Sequence, residues 1–339
     1  MIGRLIFLAL ALVGSAAFAQ DRPLAGDLRI TGASDMAPLL AAWSEGFERA
    51  NPEARIVANL KGCASAIYGL EVRTTDVALM DRGLNPFERY GTYERSWTYP
   101  VEVEIGTAGA YAIYVHPKNP LRQLTLAQLD GIFGAQRDGG WDRLVWNRAA
   151  ARDANRNLRQ WGQLGVSGVL KSQAIHVYGP PLQGQGSVTD FQRMVLQGGA
   201  LWNEDYREYA GPAAMFAALA RDTAGIAFGA LGTAPPGWVP LALAAKPGDP
   251  FVAPTPASLT DRSYPLARPA YLYFTIDSPS GDPAPVKPLI RAFASHVLSP
   301  EGQAALANNE GYYPLPAAIG EQQRARVASD AWPQERPRP

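Results

Sequence analysis

A single cysteine, Cys63, stands among 339 residues, so no internal disulfide is available and the fold must rest on its apolar core. Neither charge is in excess, since 31 Lys and Arg balance 31 Asp and Glu. That balance leaves no basic footprint for nucleic acid or an anionic membrane, and partners have to be sought in local sites. Histidine is scarce as well. His116, His176 and His296 are far apart and fall inside strand or helix patterns, which predicts structural roles. The chain also lacks the G-x-S-x-G elbow, the H-E-x-x-H zinc pair and the phosphate-cradling P-loop, which removes the commonest sequence signs of an enzyme. No apolar run after the first 20 residues approaches a membrane span.

What is present is an ordinary globular composition, 47% hydrophobic and 18% charged, in a chain long enough for two domains. It opens "MIGRLIFLALALVGSAAFAQ": Arg4, an apolar core from Leu5 to Val13, then Ala17-Phe18-Ala19 before Gln20. This pattern predicts a cleavable signal peptide over 1–19 and an exported mature chain. With no cysteine at the cleavage point, no lipid anchor is expected. Cys63, in an exported protein, reads as a small buried apolar residue.

Strand and helix signals alternate along the mature chain. "DLRITG" reads as a strand, and "MAPLLAAWSEGFERANP" as a helix with Leu39, Leu40, Trp43 and Phe47 on one face. The Ser34-Asp35 pair falls where its N-cap is expected. "ARIVANL", "ASAIYGLEVRTTD" and "VALMDRG" continue as strand, helix and strand. A second α/β series begins with "AGAYAIYVHPKNP", passes through a Thr125-capped helix, "AIHVYG" and "SVTDFQRMVLQGG", and ends near "GIAFGALG". The Arg- and Asn-rich region 143–161 reads as an exposed insertion. A Pro-punctuated stretch near 250 leads to the strand "AYLYFTI", a helix over "PVKPLIRAFASHVLSPEGQAALANN", and a polar tail expected to fray after 320. Alternation of this kind predicts βαβ units.

Four segments, "TGASDMAPLLAAWSEGFERANP", "YVHPKNPLRQLTLAQLDGIFG", "APTPASLTDRSYPLARPAYLYF" and "LSPEGQAALANNEGYYPLP", together resemble the periplasmic phosphate-binding proteins of ABC uptake systems. The resemblance implies an α/β, two-lobed type II periplasmic binding protein, with mixed sheets flanked by helices and two hinge strands. Lobe I would take 27–107 plus 268–320, lobe II 108–267, and the polar tail 321–339. It further implies a periplasmic, monomeric protein that encloses phosphate or another small polar or oxyanion ligand and delivers it to an ABC permease in the inner membrane. No cofactor, metal or nucleic acid is implied.

The resemblance places the ligand at helix N-termini, where free N–H groups suit an anion. On the first lobe it implicates Ser34, Asp35 and Met36, then Cys63 and Ser65 in "KGCASAI", and Asp81 in "LMDRG" as the carboxylate that accepts a proton from the ligand. On the second lobe it implicates Gln183, Gln185, Gly186 and Ser187. Lys61 and Arg82, adjoining these runs, are expected to face solvent. Pro180 and Pro181 stand where the family carries an arginine, so no cation is assured beside Asp35 and Asp81. Two other classes stay open: a sensory or interaction module built on the same two lobes, and a thiol-dependent enzyme, in which Cys63 would need a histidine beside it.

Overall fold

A computed structural model describes residues 23–96, 100–142, 145–183, 186–276 and 286–329, without the side chains of Pro86, Tyr93, Arg95 and Ser96. The signal-peptide segment and Gln185 lie outside the described residues. The first lobe is built from β1 (Gly26–Gly32), α1 (Ala37–Ala50), β2 (Ala54–Asn59), α2 (Cys63–Glu71), β3 (Val77–Met80) and α3 (Pro86–Ser96). The chain then enters β4 (Val101–Val115), a 15-residue strand. The second lobe follows with β5 (Gln123–Thr125), α4 (Leu126–Phe133), β6 (Gly140–Asp142), β7 (Val145–Asn147), β8 (His176–Gly179), α5 (Gly186–Met194), β9 (Tyr206–Glu208), α6 (Pro212–Leu219), β10 (Gly225–Ala230), β11 (Ala242–Ala244) and α7 (Pro256–Thr260). β12 (Ala267–Phe274) leads back to the first lobe, which is completed by α8 (Pro288–Val297), α9 (Pro300–Ala307), β13 (Tyr312–Tyr313) and α10 (Ala317–Ser329).

The main sheet runs β2-β1-β3-β12-β4-β10-β8-β9. β1 pairs in parallel with β2 and β3, as the crossover helices require. β4 and β12 make it mixed, and they join the lobes. Residues Val101 to Ala110 of β4 pair antiparallel with β12, whereas Tyr111 to Val115 pair with β10. Gly109, at the switch, has φ +67°, a left-handed conformation that a side chain would strain. The core divides at the same place. Of the two largest apolar clusters, one gathers Trp43, Phe47, Leu272 and Phe293 and the other Tyr111, Phe133, Trp161, Phe191 and Phe228. Helix α1 buries Leu39, Leu40, Trp43 and Phe47 as its periodicity predicts, each contributing roughly 1.5–3 kcal/mol of transfer free energy.

Three stretches differ from the sequence reading. The single helix expected from 285 to 309 is, over its described residues, broken, because Pro300 cannot continue α8 and Ser299 caps α9 by accepting from the Gly302 N–H. The tail remains helical to Ser329, held by buried Val327 and by Gln323, whose amide oxygen accepts from the Glu104 N–H at 3.3 Å. The region 143–161 is not uniformly solvated. Arg152 is buried there, and both it and Arg137 reach the buried Asp130. No helix among the described residues is long and apolar enough to cross a membrane.

Candidate functional site

The first wall forms where β1 and β3 release their chains toward the hinge. Beyond β1 the Ala33 N–H donates to the Leu79 carbonyl at 3.0 Å, and Ser34–Met36 form a 3₁₀ turn ahead of α1. Neither start carries a side-chain cap, so the expected Ser34-Asp35 N-cap is corrected: the tight turn satisfies these groups through the backbone. Met36 follows in the same turn. Its side chain lies in the core, and its N–H donates to the Ala33 carbonyl at 3.2 Å. Ser34 and Asp35 remain exposed. The Asp35 side chain stands at the rim, where partial loss of water around the carboxyl, and then the charge of Asp81, raise its pKa above the ordinary carboxylate value, while Arg268 opposes them.

Gly62, with φ +111°, turns the chain into α2, and its N–H donates to the Gly32 carbonyl at 2.8 Å. This tie sets Cys63 against Asp81. The thiol donates to Asp81 Oδ1 at 3.0 Å, and burial followed by the Asp81 charge pushes its pKa above the ordinary thiol value. Ser65 is exposed and donates to the Gly62 carbonyl at 2.8 Å, so its hydroxyl serves its own turn. Lys61 faces solvent, as expected.

Asp81 follows β3, and its partner comes from the hinge. The Arg268 guanidinium, on β12, pairs with Asp81 Oδ2, donates to the Asp81 carbonyl at 3.1 Å and lies 4.9 Å from the Tyr111 ring centroid. Burial works against the Asp81 charge, but Arg268, the Cys63 hydrogen bond and Arg82 outweigh it and hold the carboxyl below its usual range. Burial also opposes the charge on Arg268; Tyr111, Asp81, Asp190 and Asp35 together hold its pKa above the ordinary arginine value. Arg82 departs from expectation. It is buried, 5% exposed, and forks onto both Glu88 oxygens at 2.8 and 2.7 Å, because a carboxylate at the start of α3 matches the guanidinium fork.

The second wall is α5. A methyl group placed on Gly186 would lie 3.1 Å from Arg82 Nε, and one on Gly83 would lie 3.7 Å from the Arg193 guanidinium, so the lobes touch. Asp190 is buried on α5, with Oδ1 accepting from Arg193 Nε at 3.2 Å and Nη2 at 2.7 Å. Gln183 is exposed, and Ser187 is half-buried.

Between these walls, four buried polar atoms have no hydrogen-bond partner among the described residues: Arg82 Nε, Arg268 Nε, Tyr111 Oη and Asp190 Oδ2. They share one region. The charges of Asp190, Asp81 and Arg268 act on Tyr111, and that of Asp190 acts on both arginines. The Tyr111 hydroxyl approaches Asp190 without closing a well-formed hydrogen bond. Unpaired buried polar groups are costly, and their concentration in one cleft suits a polar guest carrying both acceptors and a proton. No His, Cys, Asp and Glu grouping among the described residues fits a metal ion.

The sequence-predicted Cys63, Asp81 and Gly186 thus meet in the cleft, with Asp35 at its edge and Ser187 beside Gly186 in the first turn of α5. Ser65 and Gln183 stand outside its hydrogen bonding. Arg268, Tyr111 and Asp190 were missed. Each carried at most a faint signal, a polar group inside an apolar strand or on an apolar helix face: Arg268 before "PAYLYF", Tyr111 as one of two tyrosines in "AGAYAIYV" and Asp190 between Val188 and Phe191.

Comparison with known proteins agrees with this architecture. The family model described as a PBP superfamily domain matches residues 17–301. The phosphate-binding protein PstS of Pseudomonas aeruginosa is 28% identical over 299 residues, 88% of this chain and 86% of that protein. Among solved structures, an ABC-type phosphate transport receptor from Vibrio cholerae superposes with a TM-score of 0.58 at 17% identity, covering 85% of this chain and 100% of that one. PstS from Borrelia burgdorferi gives a TM-score of 0.57 at 15% identity, covering 86% of this chain and 99% of that one. At those identities the structural likeness shows the two-lobed fold.

Proposed function

The chain belongs to the PBP superfamily, and from that premise we propose that it is an exported, periplasmic solute-binding protein that closes on phosphate or a related protonated oxyanion and presents the closed form to an ABC permease. The signal-peptide pattern supports export. The likeness to a phosphate-binding protein supports a phosphate-type ligand, and the resemblance of four segments to ABC uptake components supports a permease partner.

The observation that carries the reading is the pair of unpartnered guanidinium Nε–H groups, Arg268 on the hinge strand and Arg82 beyond β3, which share the field of Asp81 and Asp190. Arg268 supplies the cation that the Pro180-Pro181 substitution removes from the second lobe. Each arginine is already balanced, Arg268 by Asp81 and Arg82 by Glu88. An incoming anion is therefore met by directed donors rather than by free positive charge. Asp190 Oδ2 accepts a hydrogen bond from a ligand hydroxyl and repels an oxyanion that has none, so hydrogen phosphate is favoured over sulfate. The N-terminal turns of α2 and α5, at Cys63 and Gly186, face the same guest. Closure follows because the guest bonds to both lobes at once, contacts absent from the open form.

The same geometry weighs against Cys63 as a nucleophile. Its thiol is protonated and bonded to Asp81, while the histidines are engaged elsewhere: His176 with Asp222, His116 beside Trp238, His296 against Phe47.

Calorimetric titration of the mature protein with phosphate and with sulfate tests the reading. Phosphate should bind and raise the melting temperature, by an amount equivalent to about 2.7 kcal/mol at a hundredfold excess over Kd, and sulfate should do neither. Arg268→Gln should weaken phosphate binding by at least tenfold while circular dichroism stays unchanged. No heat and no stabilisation at millimolar phosphate would overturn it.

A further inference from the structure

Beside the oxyanion cleft the second lobe holds a cavity of about 210 Å³ whose lining includes Pro180, Pro181, Tyr209, Met215 and Phe228. Tyr111 and Ser187 also line it, and they connect it to the cleft. The Tyr111 hydroxyl is one of the four unpartnered groups there, and Ser187 follows Gly186, which packs against Arg82. Resting on the oxyanion reading, we propose that the ligand is a substituted oxyanion, a phosphonate or phosphate monoester R–PO₃, whose apolar R group, up to the size of a single ring, occupies this cavity.

Inorganic phosphate has no part able to use such a space. Three oxygens suffice for the polar groups of the cleft: they accept from Arg82 Nε, Arg268 Nε and the Tyr111 hydroxyl, and one of them carries the proton offered to Asp190 Oδ2, which leaves the fourth substituent on phosphorus for the apolar lining. An apolar cavity of about 150 Å³ holds a benzene ring, so the volume here suits a phenyl or branched alkyl group. The wall chemistry agrees. Pro180, Pro181 and Pro212 have no N–H to offer, and Met215 and Phe228 belong to the apolar core. Gly211, at the start of α6, leaves the space open: a methyl group there meets nothing within 4 Å. Its backbone is extended, φ −170° and ψ 166°, a conformation any residue adopts.

Those last two facts supply the test. Titrations of the wild-type protein and of Gly211→Leu are run with inorganic phosphate and with phenylphosphonate. The wild type should bind phenylphosphonate at least tenfold more tightly than phosphate, because the ring leaves water for an apolar wall. Gly211→Leu, which adds a branched side chain to the lining at a position with room for it, should lose that advantage and keep the wild-type phosphate affinity. A wild type that binds phosphate as tightly as phenylphosphonate, or a Gly211→Leu protein that keeps the preference, overturns the proposal and leaves the oxyanion reading standing. Failure of the wild type to bind either compound overturns both. The wild-type comparison needs no variant, so it decides the matter even if Gly211→Leu folds poorly.

Discussion

Arg268 is the residue on which the cleft turns, and its position explains why it was hidden. An arginine that serves a site by crossing from a return strand leaves no local motif, because its partner Asp81 lies 187 positions away in sequence. Asp81 itself was legible from the resemblance, since a short run around a carboxylate keeps its order. Cys63 illustrates the reverse limit: the sequence places it at a helix start, but its chemistry depends on the carboxylate it meets. Burial, then the charge of Asp81, holds the thiol above its ordinary pKa, so its thiolate fraction at pH 8 is below that of a free cysteine. Iodoacetamide should therefore alkylate Cys63 more slowly than it alkylates glutathione at pH 8, and Asp81→Asn, by removing the charge that opposes ionisation, should speed the reaction. Alkylation of the wild type faster than glutathione would contradict the hydrogen-bonded thiol and reopen a nucleophilic role.

Helices, strands and caps were the most legible level, wherever the signal was local. Thr125 shows why. Its hydroxyl accepts from the Gln128 N–H at 3.1 Å and the Gln128 side chain accepts from the Thr125 N–H at 2.8 Å, a reciprocal cap completed within four residues of sequence. Thr125→Ala should cost about 1 kcal/mol of unfolding free energy, read as a lower urea midpoint at unchanged slope, and Thr125→Ser should recover most of it. An unchanged midpoint in Thr125→Ala would mean that neighbouring contacts, not the cap, hold the start of α4. The start of α1 failed the same reasoning, because Ser34 and Asp35 have cap-like identities but sit in a 3₁₀ turn whose backbone already satisfies itself. The break between α8 and α9 was visible as Ser299-Pro300 and was overridden by the apolar periodicity on either side. The helix after 320 was not legible, since its buried face is narrow and Gln323 works through a distant backbone N–H.

At the scale of the whole molecule, closure of the two lobes is an electrostatic balance. Asp35 and Asp81 come from the first lobe, Asp190 from the second, and Arg268 from the strand between them. Asp35 has a raised pKa, through desolvation of its carboxyl and then the Asp81 charge, so the folded form prefers it protonated. This carboxyl therefore supports the folded state below its unfolded pKa, and the support is lost as pH rises through the folded value. Above that value a charged Asp35 opposes both closure and an incoming oxyanion. Asp35→Asn removes the opposing charge and keeps the size of the side chain. It should bind phosphate several-fold more tightly than the wild type at pH 7, with the gap narrowing as pH falls toward 4. The ratio of the two affinities, measured across that range, cancels the ionisation of phosphate itself and isolates the carboxyl. A ratio that stays flat with pH would mean that Asp35 lies outside the field of the bound ligand. A weaker Asp35→Asn protein would instead make Asp35 an acceptor for a ligand proton, moving that role from Asp190 to the first lobe.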